Sequence, residues 1–199
     1  MQKVFGIGFH KTGTTTLKQA LSILGYKVTG PNLDFVTDLK QNNYSRILKH
    51  AKEYDAFQDN PWPSVYKKLD DNFPTSKFIL TIRENNKWIR SISNFFGNKN
   101  SEMREWIYGV GHPKGNEEDY LRIYSQHNLE VIDYFHSRPD DLLVIDFTKG
   151  KCWEKICRFL DMGIPEKPFP HAKRTTYSKK ERLLWIIKDF ILKFKIRKY

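Results

Sequence analysis

The sequence predicts an α/β fold, a three-layer sandwich in which helices cover both faces of a central parallel sheet. Three observations predict it. Short apolar runs alternate along the chain with segments whose apolar residues recur at helical spacing. The run Lys77–Ile82 (KFILTI) has the nearly continuous apolar character of a buried strand. Finally, the 199 residues are 39% hydrophobic and 15% aromatic, which is enough to build one ordinary core.

The elements of the first half follow from periodicity and turn residues. Lys3–Phe9 is an apolar strand that breaks into a Gly/Thr loop, and Thr14–Leu24 carries leucines at helical spacing before Gly25. The pattern then predicts a strand at Tyr26–Thr29, a helix at Tyr44–Lys52, a strand at Tyr54–Gln58, a helix at Val65–Asn72 and the strand Lys77–Ile82.

The second half continues the alternation. It predicts helices at Asn86–Phe96 and Glu117–Phe135, a short helix at Glu102–Tyr108 within the irregular segment 97–115, a strand at Leu142–Asp146 and a helix at Cys152–Leu160. After a proline-rich loop, residues 179–198 form a strongly basic and strongly apolar helical pattern. We therefore expect an α/β domain over residues 1–177 and a basic amphipathic helical appendage over residues 178–199.

Charge and cysteine content narrow the class of protein. The chain has 34 Lys+Arg and 23 Asp+Glu, and its net charge of +11 predicts an anionic ligand, nucleic acid or an acidic membrane surface. It lacks a run of 18 uncharged apolar residues and a signal-peptide pattern. Cys152 and Cys157 do not share a helix face, so we expect reduced core thiols in a cytoplasmic protein.

The most informative segment is GIGFHKTGTTTL, residues 6–17, which follows a predicted strand and opens a predicted helix. Backbone N–H groups and the helix dipole hold anions in that context, while glycines let the chain approach closely and a lysine adds charge. This P-loop-like segment therefore predicts a phosphate site. The residues that we expect to bind the anion are His10, Lys11, Thr12, Gly13, Thr14, Thr15 and Thr16.

Neither common nucleotide motif fits this loop. Gly8 and Gly13 have the glycine spacing of G-x-x-x-x-G-K-[ST], but Thr14 stands at the lysine position and the lysine lies earlier, at Lys11. In the dinucleotide pattern G-x-G-x-x-G, Lys11 stands where the third glycine belongs. A different phosphate chemistry is indicated.

A second motif points to that chemistry. Arg83 directly follows the strand KFILTI, and Ser91 lies eight residues later in the next helix, so both could grip one phosphate. Lys11–Thr15 (KTGTT) after a first strand resembles the 5′-phosphosulfate loop of sulfotransferases that use 3′-phosphoadenylyl sulfate (PAPS), and Arg83 with Ser91 resembles their 3′-phosphate element. The chain looks closest to compact, bacterial-type members of that family.

The resemblance implies a donor, a product and further binding residues. PAPS would be the sulfuryl donor, adenosine 3′,5′-bisphosphate the product, and no metal is expected. The family's basic C-terminal loop corresponds to Lys173 and Arg174, which we expect to close over the 3′-phosphate. Many cytosolic members stack adenine on a tryptophan after the two threonines, and Thr16 occupies that position here.

The same resemblance suggests how the reaction proceeds. Lys11 would neutralise charge on the leaving oxygen. Asp59 lies two residues before Pro61 at the end of a predicted strand. This position matches that of the histidine that acts as the catalytic base in cytosolic members of the family, so Asp59 could accept the acceptor's proton. Alternatively Asp59 caps the following turn, in which case His10 is a substitute base.

The acceptor and the tail stay open at this level. A sugar or glycan, lipid, amine, phenol or peptide is compatible with the sequence, and the expected pocket aromatics, equally compatible with core positions, are Trp62, Phe96, Trp106, Tyr108 and His112. We expect no nucleic-acid partner, and expect the tail to pack on the domain or form a homodimer contact rather than lie peripherally on a membrane. The alternative functions are a P-loop small-molecule or nucleotide kinase and a non-catalytic binder of nucleic acid or membrane surfaces.

Overall fold

A five-stranded, all-parallel sheet forms the centre of the protein, in the order β2-β3-β1-β4-β5. The computed structural model describes residues 1–150 and 152–172. The strands are β1 (Val4–Gly6), β2 (Val28–Thr29), β3 (Ala56–Phe57), β4 (Lys77–Thr81) and β5 (Leu142–Ile145). The helices are α1 (Thr14–Ile23), α2 (Val36–Lys40), α3 (Ser45–Lys52), α4 (Tyr66–Asn72), α5 (Asn85–Phe96), α6 (Glu102–Tyr108), α7 (Glu117–Tyr134) and α8 (Cys152–Phe159).

Alternation along the strands sends side chains to two opposite helical layers. Val4 of β1 and Ile79 of β4 pack with side chains of α1 and α8, whereas Phe5 and Phe78 pack with α3, α4 and α7. The core therefore lies on both faces of the sheet, and the expected three-layer α/β sandwich is confirmed.

The predicted helices and strands are all present among the described residues, with shorter strands than the apolar runs suggested. Helix α2 was not predicted because it is only five residues long and follows a 3-10 turn at Leu33–Phe35. Cys152 and Cys157 are buried free thiols, as expected. The boundary at residues 177 and 178 and the predicted basic helix lie outside the described residues.

Gly8 explains where β1 ends. Its N-terminal neighbour Ile7 still donates its N–H to the carbonyl of Ile79 at 2.9 Å. A Cβ on Gly8 would lie 2.1 Å from Thr81 Oγ1, so the chain can pass this close to β4 only with glycine. The sequence pattern suggests that this glycine lets the chain approach a phosphate, whereas the close approach that it permits is to the neighbouring strand.

Candidate active site

A cavity of about 750 Å³ opens at the carboxyl ends of the strands, where ligands of open α/β sheets bind. Residues following each of the strands line it: His10–Gly13 after β1, Pro31 and Leu33 after β2, Asp59 and Asn60 after β3, Ile82 and Arg83 after β4, and Asp146–Thr148 after β5. The cavity brings together the predicted site residues His10, Lys11, Thr12, Gly13, Thr14, Thr15, Thr16, Asp59, Arg83 and Ser91.

The N-terminus of α1 faces this cavity without a side-chain cap. Gly13 is its N-cap residue, with φ 110°, and no side-chain hydrogen bond closes the end. The helical ladder begins with the N–H of Leu17, which donates to the carbonyl of Gly13 at 2.9 Å. The preceding N–H groups, of Thr14, Thr15 and Thr16, have no intrahelical acceptor. Together with the positive end of the helix dipole, they suit an anion.

The threonine hydroxyls of the loop mostly serve the loop itself. Thr12 donates its hydroxyl to the Phe9 carbonyl at 2.6 Å, and Thr14 donates its hydroxyl to Asp59 Oδ2 at 2.8 Å. Thr16 Oγ1 accepts from the N–H of Ala172 at 3.3 Å. Because a hydroxyl has one proton, Thr12 and Thr14 as placed here offer a ligand their backbone rather than their side chains.

Lys11 lines the cavity and has a left-handed backbone conformation, with φ 66°. Its Nζ lies 3.8 Å from the ring centroid of Phe95, a cation–π contact that keeps the ammonium on the cavity wall. Phe95 belongs to α5, one turn beyond Ser91. The lysine is thereby placed between the anion-binding loop and an aromatic surface.

Asp59 faces the same space from the end of β3. Its Oδ1 accepts from the N–H of Asn60 at 2.8 Å, and its side chain is 17% exposed. Burial raises the pKa of this carboxyl, opposed by the hydrogen bonds from Asn60 and Thr14 and by the charge of Lys11. A carboxylate with a raised pKa is a better proton acceptor, so the geometry suits a general base.

His10 is held as a neutral ring. Its Nδ1 lies 2.9 Å from Asn60 Nδ2, and its Nε2 lies 3.1 Å from the Tyr108 hydroxyl. Burial, with smaller contributions from the positive charges of Arg104 and Lys11, lowers the pKa of His10 to about 3. Both ring nitrogens already have partners, so the arrangement favours Asp59 over His10 as the proton acceptor.

Arg83 and Ser91 each bring an unpaired buried polar atom to the cavity. Ser91 is 1% exposed and its Oγ has no hydrogen-bond partner, and the buried Nε of Arg83 has none either. Arg83 Nη1 donates to the Lys11 carbonyl at 3.3 Å, which ties the second motif to the first. Buried polar groups normally have partners, so these two atoms indicate a polar ligand.

The backbone of Arg83 is held by α7. The Tyr124 hydroxyl accepts from the N–H of Arg83 at 2.9 Å and donates to its carbonyl at 2.8 Å. The Tyr124 ring stacks on Trp88 at a centroid distance of 4.0 Å, and Trp88 Nε1 donates to the His10 carbonyl at 2.9 Å. One buried aromatic pair thus supports both the loop after β1 and the loop after β4.

The expected pocket aromatics are mostly elsewhere. Phe96 lines the cavity, while Trp62 and Tyr108 are buried core residues, Trp106 packs against the core, and His112 contacts the Lys114 carbonyl. The cavity residues that sequence reasoning missed include Leu33, Phe95, Met103, Arg104 and Phe147. Phe95 had one usable signal, because it lies four residues after Ser91 and therefore on the same side of α5.

The structure does not describe two of the predicted site residues. Lys173 and Arg174 lie outside the described residues, although the preceding His171 and Ala172 line the cavity.

Within residues 1–150 and 152–172, His, Cys, Asp and Glu side chains form no cluster that could hold a metal ion. None of the helices described there is long and apolar enough to cross a membrane.

Comparisons with known proteins agree with this geometry. A protein-family model described as a sulfotransferase domain matches residues 3–114 and 100–177. The chain therefore belongs to the sulfotransferase family, and the resemblance drawn from its two phosphate motifs is confirmed. The chain is also similar to the Ava biosynthesis cluster protein M of Aspergillus versicolor, with 28% identity over an alignment of 232 positions that covers 90% of this chain and 87% of that protein.

Proposed function

We propose that the protein transfers a sulfuryl group from PAPS to a hydroxyl or amine acceptor and releases adenosine 3′,5′-bisphosphate. The observation that carries this proposal is the pair of unpaired buried atoms, Arg83 Nε and Ser91 Oγ, in the cavity that also receives the uncapped N-terminus of α1. A donor with phosphates at two positions would use both groups of binding residues. The cavity volume of about 750 Å³ is within the range for nucleotide-sized ligands.

Two groups of residues would bind the two ends of the donor. The N–H groups of Thr14, Thr15 and Thr16 would bind the phosphosulfate end, while Arg83 and Ser91 would bind the 3′-phosphate. Thr16 is buried and bonded to Ala172, so it offers no stacking surface. Phe147 replaces the missing tryptophan as the candidate adenine contact in this proposal, since it lines the cavity.

Catalysis would depend on two side chains. Lys11 would stabilise the negative charge that develops on the oxygen leaving with the phosphate, a kind of contact worth about 10²–10³ in kcat. Asp59 would accept the proton of the attacking hydroxyl or amine and return it to solvent. Its hydrogen bond from Thr14 fixes the carboxylate relative to the anion-binding loop.

Calorimetry on a matched pair of serine variants tests the proposal. Ser91 and Ser93 both lie on α5 and both have a buried Oγ without a partner, but only Ser91 lines the cavity. Removing a hydrogen bond to a charged ligand costs about 1.5–3 kcal/mol, so Ser91→Ala should raise the Kd for adenosine 3′,5′-bisphosphate by roughly ten- to a hundredfold. Ser93→Ala should leave that Kd unchanged.

The same experiment separates the alternatives. Both variants lose an unsatisfied buried hydroxyl, so the melting temperature of the free protein should not fall in either. Binding of ATP with magnesium and its turnover, without binding of the bisphosphate, would instead identify a kinase. Nucleic-acid or vesicle binding without either nucleotide would support the non-catalytic binder.

A further inference from the structure

The cavity has an apolar wall. We define this apolar wall as Pro31, Leu33, Phe95, Phe96 and Met103, all of which line the cavity. They come from the segment after β2, the end of α5 and the start of α6. The residues proposed to bind the donor, Arg83, Ser91 and the N-terminus of α1, contribute none of its members.

Three contacts place the apolar wall beside the proposed catalytic residues. Phe95 carries the Lys11 ammonium on its ring, and the Phe96 ring centroid lies 5.4 Å from that of His10. The N–H of Asn32 donates to the Asn60 carbonyl at 2.8 Å, which holds Leu33 next to the loop of Asp59. A group that attacked from this side would meet both Lys11 and Asp59.

Two members of the apolar wall are unusually exposed. Leu33 is 49% exposed and Phe95 is 56% exposed, although both line a cavity. A ligand that covers apolar surface gains about 25 cal/mol for each Å² removed from water. An aromatic ring has the flat apolar face that suits Phe95 and Phe96, because aromatic rings pair favourably at stacking or edge distances.

The Arg104 side chain, which lies against Phe96 of the apolar wall, is already engaged. Arg104 donates Nε to the Gly111 carbonyl at 3.1 Å and Nη2 to the Lys99 carbonyl at 2.5 Å, and its guanidinium lies 4.0 Å from the Phe96 ring centroid. Asn60 Nδ2 contacts His10, whereas the buried Asn60 Oδ1 has no hydrogen-bond partner and could accept from a single hydroxyl. A sugar would bring a hydroxyl on nearly every carbon, and each hydroxyl buried without a partner would cost affinity.

We propose that the acceptor is a phenol, whose aromatic ring covers the apolar wall while its hydroxyl faces Lys11 and Asp59. The phenolic oxygen forms a bond to sulfur as the bond from sulfur to the bridging phosphate oxygen breaks. The electron pair of the broken bond leaves on the phosphate, and the phenolic proton passes to Asp59. This inference rests on the proposed function and names its acceptor class.

The chemistry of the base agrees with a phenol. A phenolic hydroxyl such as that of tyrosine has a pKa of about 10, far below the value of about 15.7 for water. A carboxylate is a weak base, and Asp59 stays one although burial raises its pKa. Proton transfer to such a base is easier from a phenol than from an aliphatic hydroxyl.

Transfer of labelled sulfate from PAPS to a panel of acceptors tests the inference with the full chain. The panel is 2-naphthol, a tyrosine-containing tripeptide, glucose and octylamine. We expect kcat/KM for 2-naphthol to exceed that for glucose and octylamine at least tenfold. Transfer to the tripeptide at a rate similar to that for 2-naphthol would show that the phenol is supplied by a peptide, and its absence that the phenol is a small molecule.

A matched leucine pair tests whether the apolar wall selects the acceptor. Leu33 and Leu129 are both exposed leucines, but Leu129 lies on α7 and does not line the cavity. Loss of a half-exposed leucine from a binding surface should raise the KM for 2-naphthol about tenfold in Leu33→Asn. Leu129→Asn should leave that KM unchanged, and both should retain the Kd for adenosine 3′,5′-bisphosphate.

The outcomes separate this inference from the proposed function. Normal binding of adenosine 3′,5′-bisphosphate with transfer to glucose or octylamine, or with no transfer to any phenol, would overturn the phenol assignment alone. Equal KM values in the two leucine variants would remove the role of the apolar wall. Absence of bisphosphate binding in the wild-type chain would overturn the proposed function itself.

Discussion

At the scale of single residues, the two proposed catalytic side chains share a costly backbone conformation. Lys11 has φ 66° and Asp59 has φ 63°, and neither is glycine. The left-handed region is sparsely populated by such residues, and it persists where surrounding contacts impose it. Here the contacts are the Lys11 carbonyl with Arg83 and the Asp59 carboxylate with Thr14 and Asn60. Both residues line the cavity, which supports a functional role for Lys11 and Asp59.

The pH dependence of turnover reports on Asp59. As the proposed base it must be ionised, and burial raises its pKa above the usual aspartate value of 3.8. The rate should therefore fall on the acid side with an apparent pKa above 3.8, and Asp59→Asn should lose that limb together with roughly 10²-fold or more of kcat. A pH–rate profile of both proteins, with bisphosphate affinity as the control, measures this.

Stability separates the catalytic role from the capping role of Asp59. The side-chain oxygen of asparagine can still accept from the N–H of Asn60, and its NH2 group can donate to the Thr14 hydroxyl, so the turn should survive the substitution. Since the folded pKa is raised, ionisation of Asp59 lowers stability as pH rises through that pKa. Asp59→Asn should thus be at least as stable as wild type at neutral pH. An unchanged rate would eliminate Asp59 as the base.

Sequence reasoning named ten of the residues that line the cavity, but not their side-chain partners. Arg83 and Ser91 were predictable because a strand end and a helix fix their separation. The bond between Thr14 and Asp59 joins residues 45 apart in the sequence, so only the parallel pairing of β1 with β3 brings them together. Phe95 was missed because its one signal, a position four residues after Ser91, is weak for an exposed aromatic near a helix end.

At the scale of elements, α7 acts as a support for the site. Tyr124→Phe removes the hydroxyl that satisfies both backbone groups of Arg83. Unsatisfied buried groups cost about 1–3 kcal/mol, so the free energy of unfolding should fall by about that amount, and the Kd for adenosine 3′,5′-bisphosphate should rise several-fold. Denaturant unfolding and calorimetry measure the two effects.

The same helix offers a control for Tyr124. The Tyr134 hydroxyl donates to Asp70 Oδ2 at 2.7 Å, and neither residue lines the cavity. Tyr134→Phe should lower stability without changing bisphosphate affinity. If both variants weakened bisphosphate binding equally, the cause would be a general loss of packing. The hydrogen bonds from Tyr124 to the Arg83 backbone would then have no specific role in binding.

The elements themselves were largely predictable from sequence. Long periodic helices such as α1, α5 and α7 and the apolar strand β4 gave clear patterns. Strand ends were less predictable, because β1 stops where Gly8 meets Thr81, a contact between segments far apart in the chain. Helix α2 packs against α6, with Lys40 Nζ 2.9 Å from Glu102 Oε2, and tertiary contacts of this kind leave no local signal.

At the scale of the whole molecule, strand order explains why one cavity collects the site. Strand β1 lies between β3 and β4, so the chain runs to one side of β1 for β2 and β3 and to the other for β4 and β5. The loops after β1, β3 and β4 therefore diverge and leave a crevice at the carboxyl ends of the strands. Lys11, Asp59 and Arg83 follow those three strands. The position of the site is thus a consequence of topology.

The net charge of the molecule leads to a prediction about its C-terminal tail. The sequence from Glu181 to Tyr199 has six Lys/Arg and two Asp/Glu among many apolar residues, which suits either protein contact or an anionic membrane. Most of the positive charge lies outside this tail. We expect the tail to contact protein, so the full chain and a chain ending at Lys180 should sediment equally with anionic liposomes. Tail-dependent sedimentation, lost in high salt, would instead establish membrane attachment, because electrostatic attraction to lipid is screened by salt.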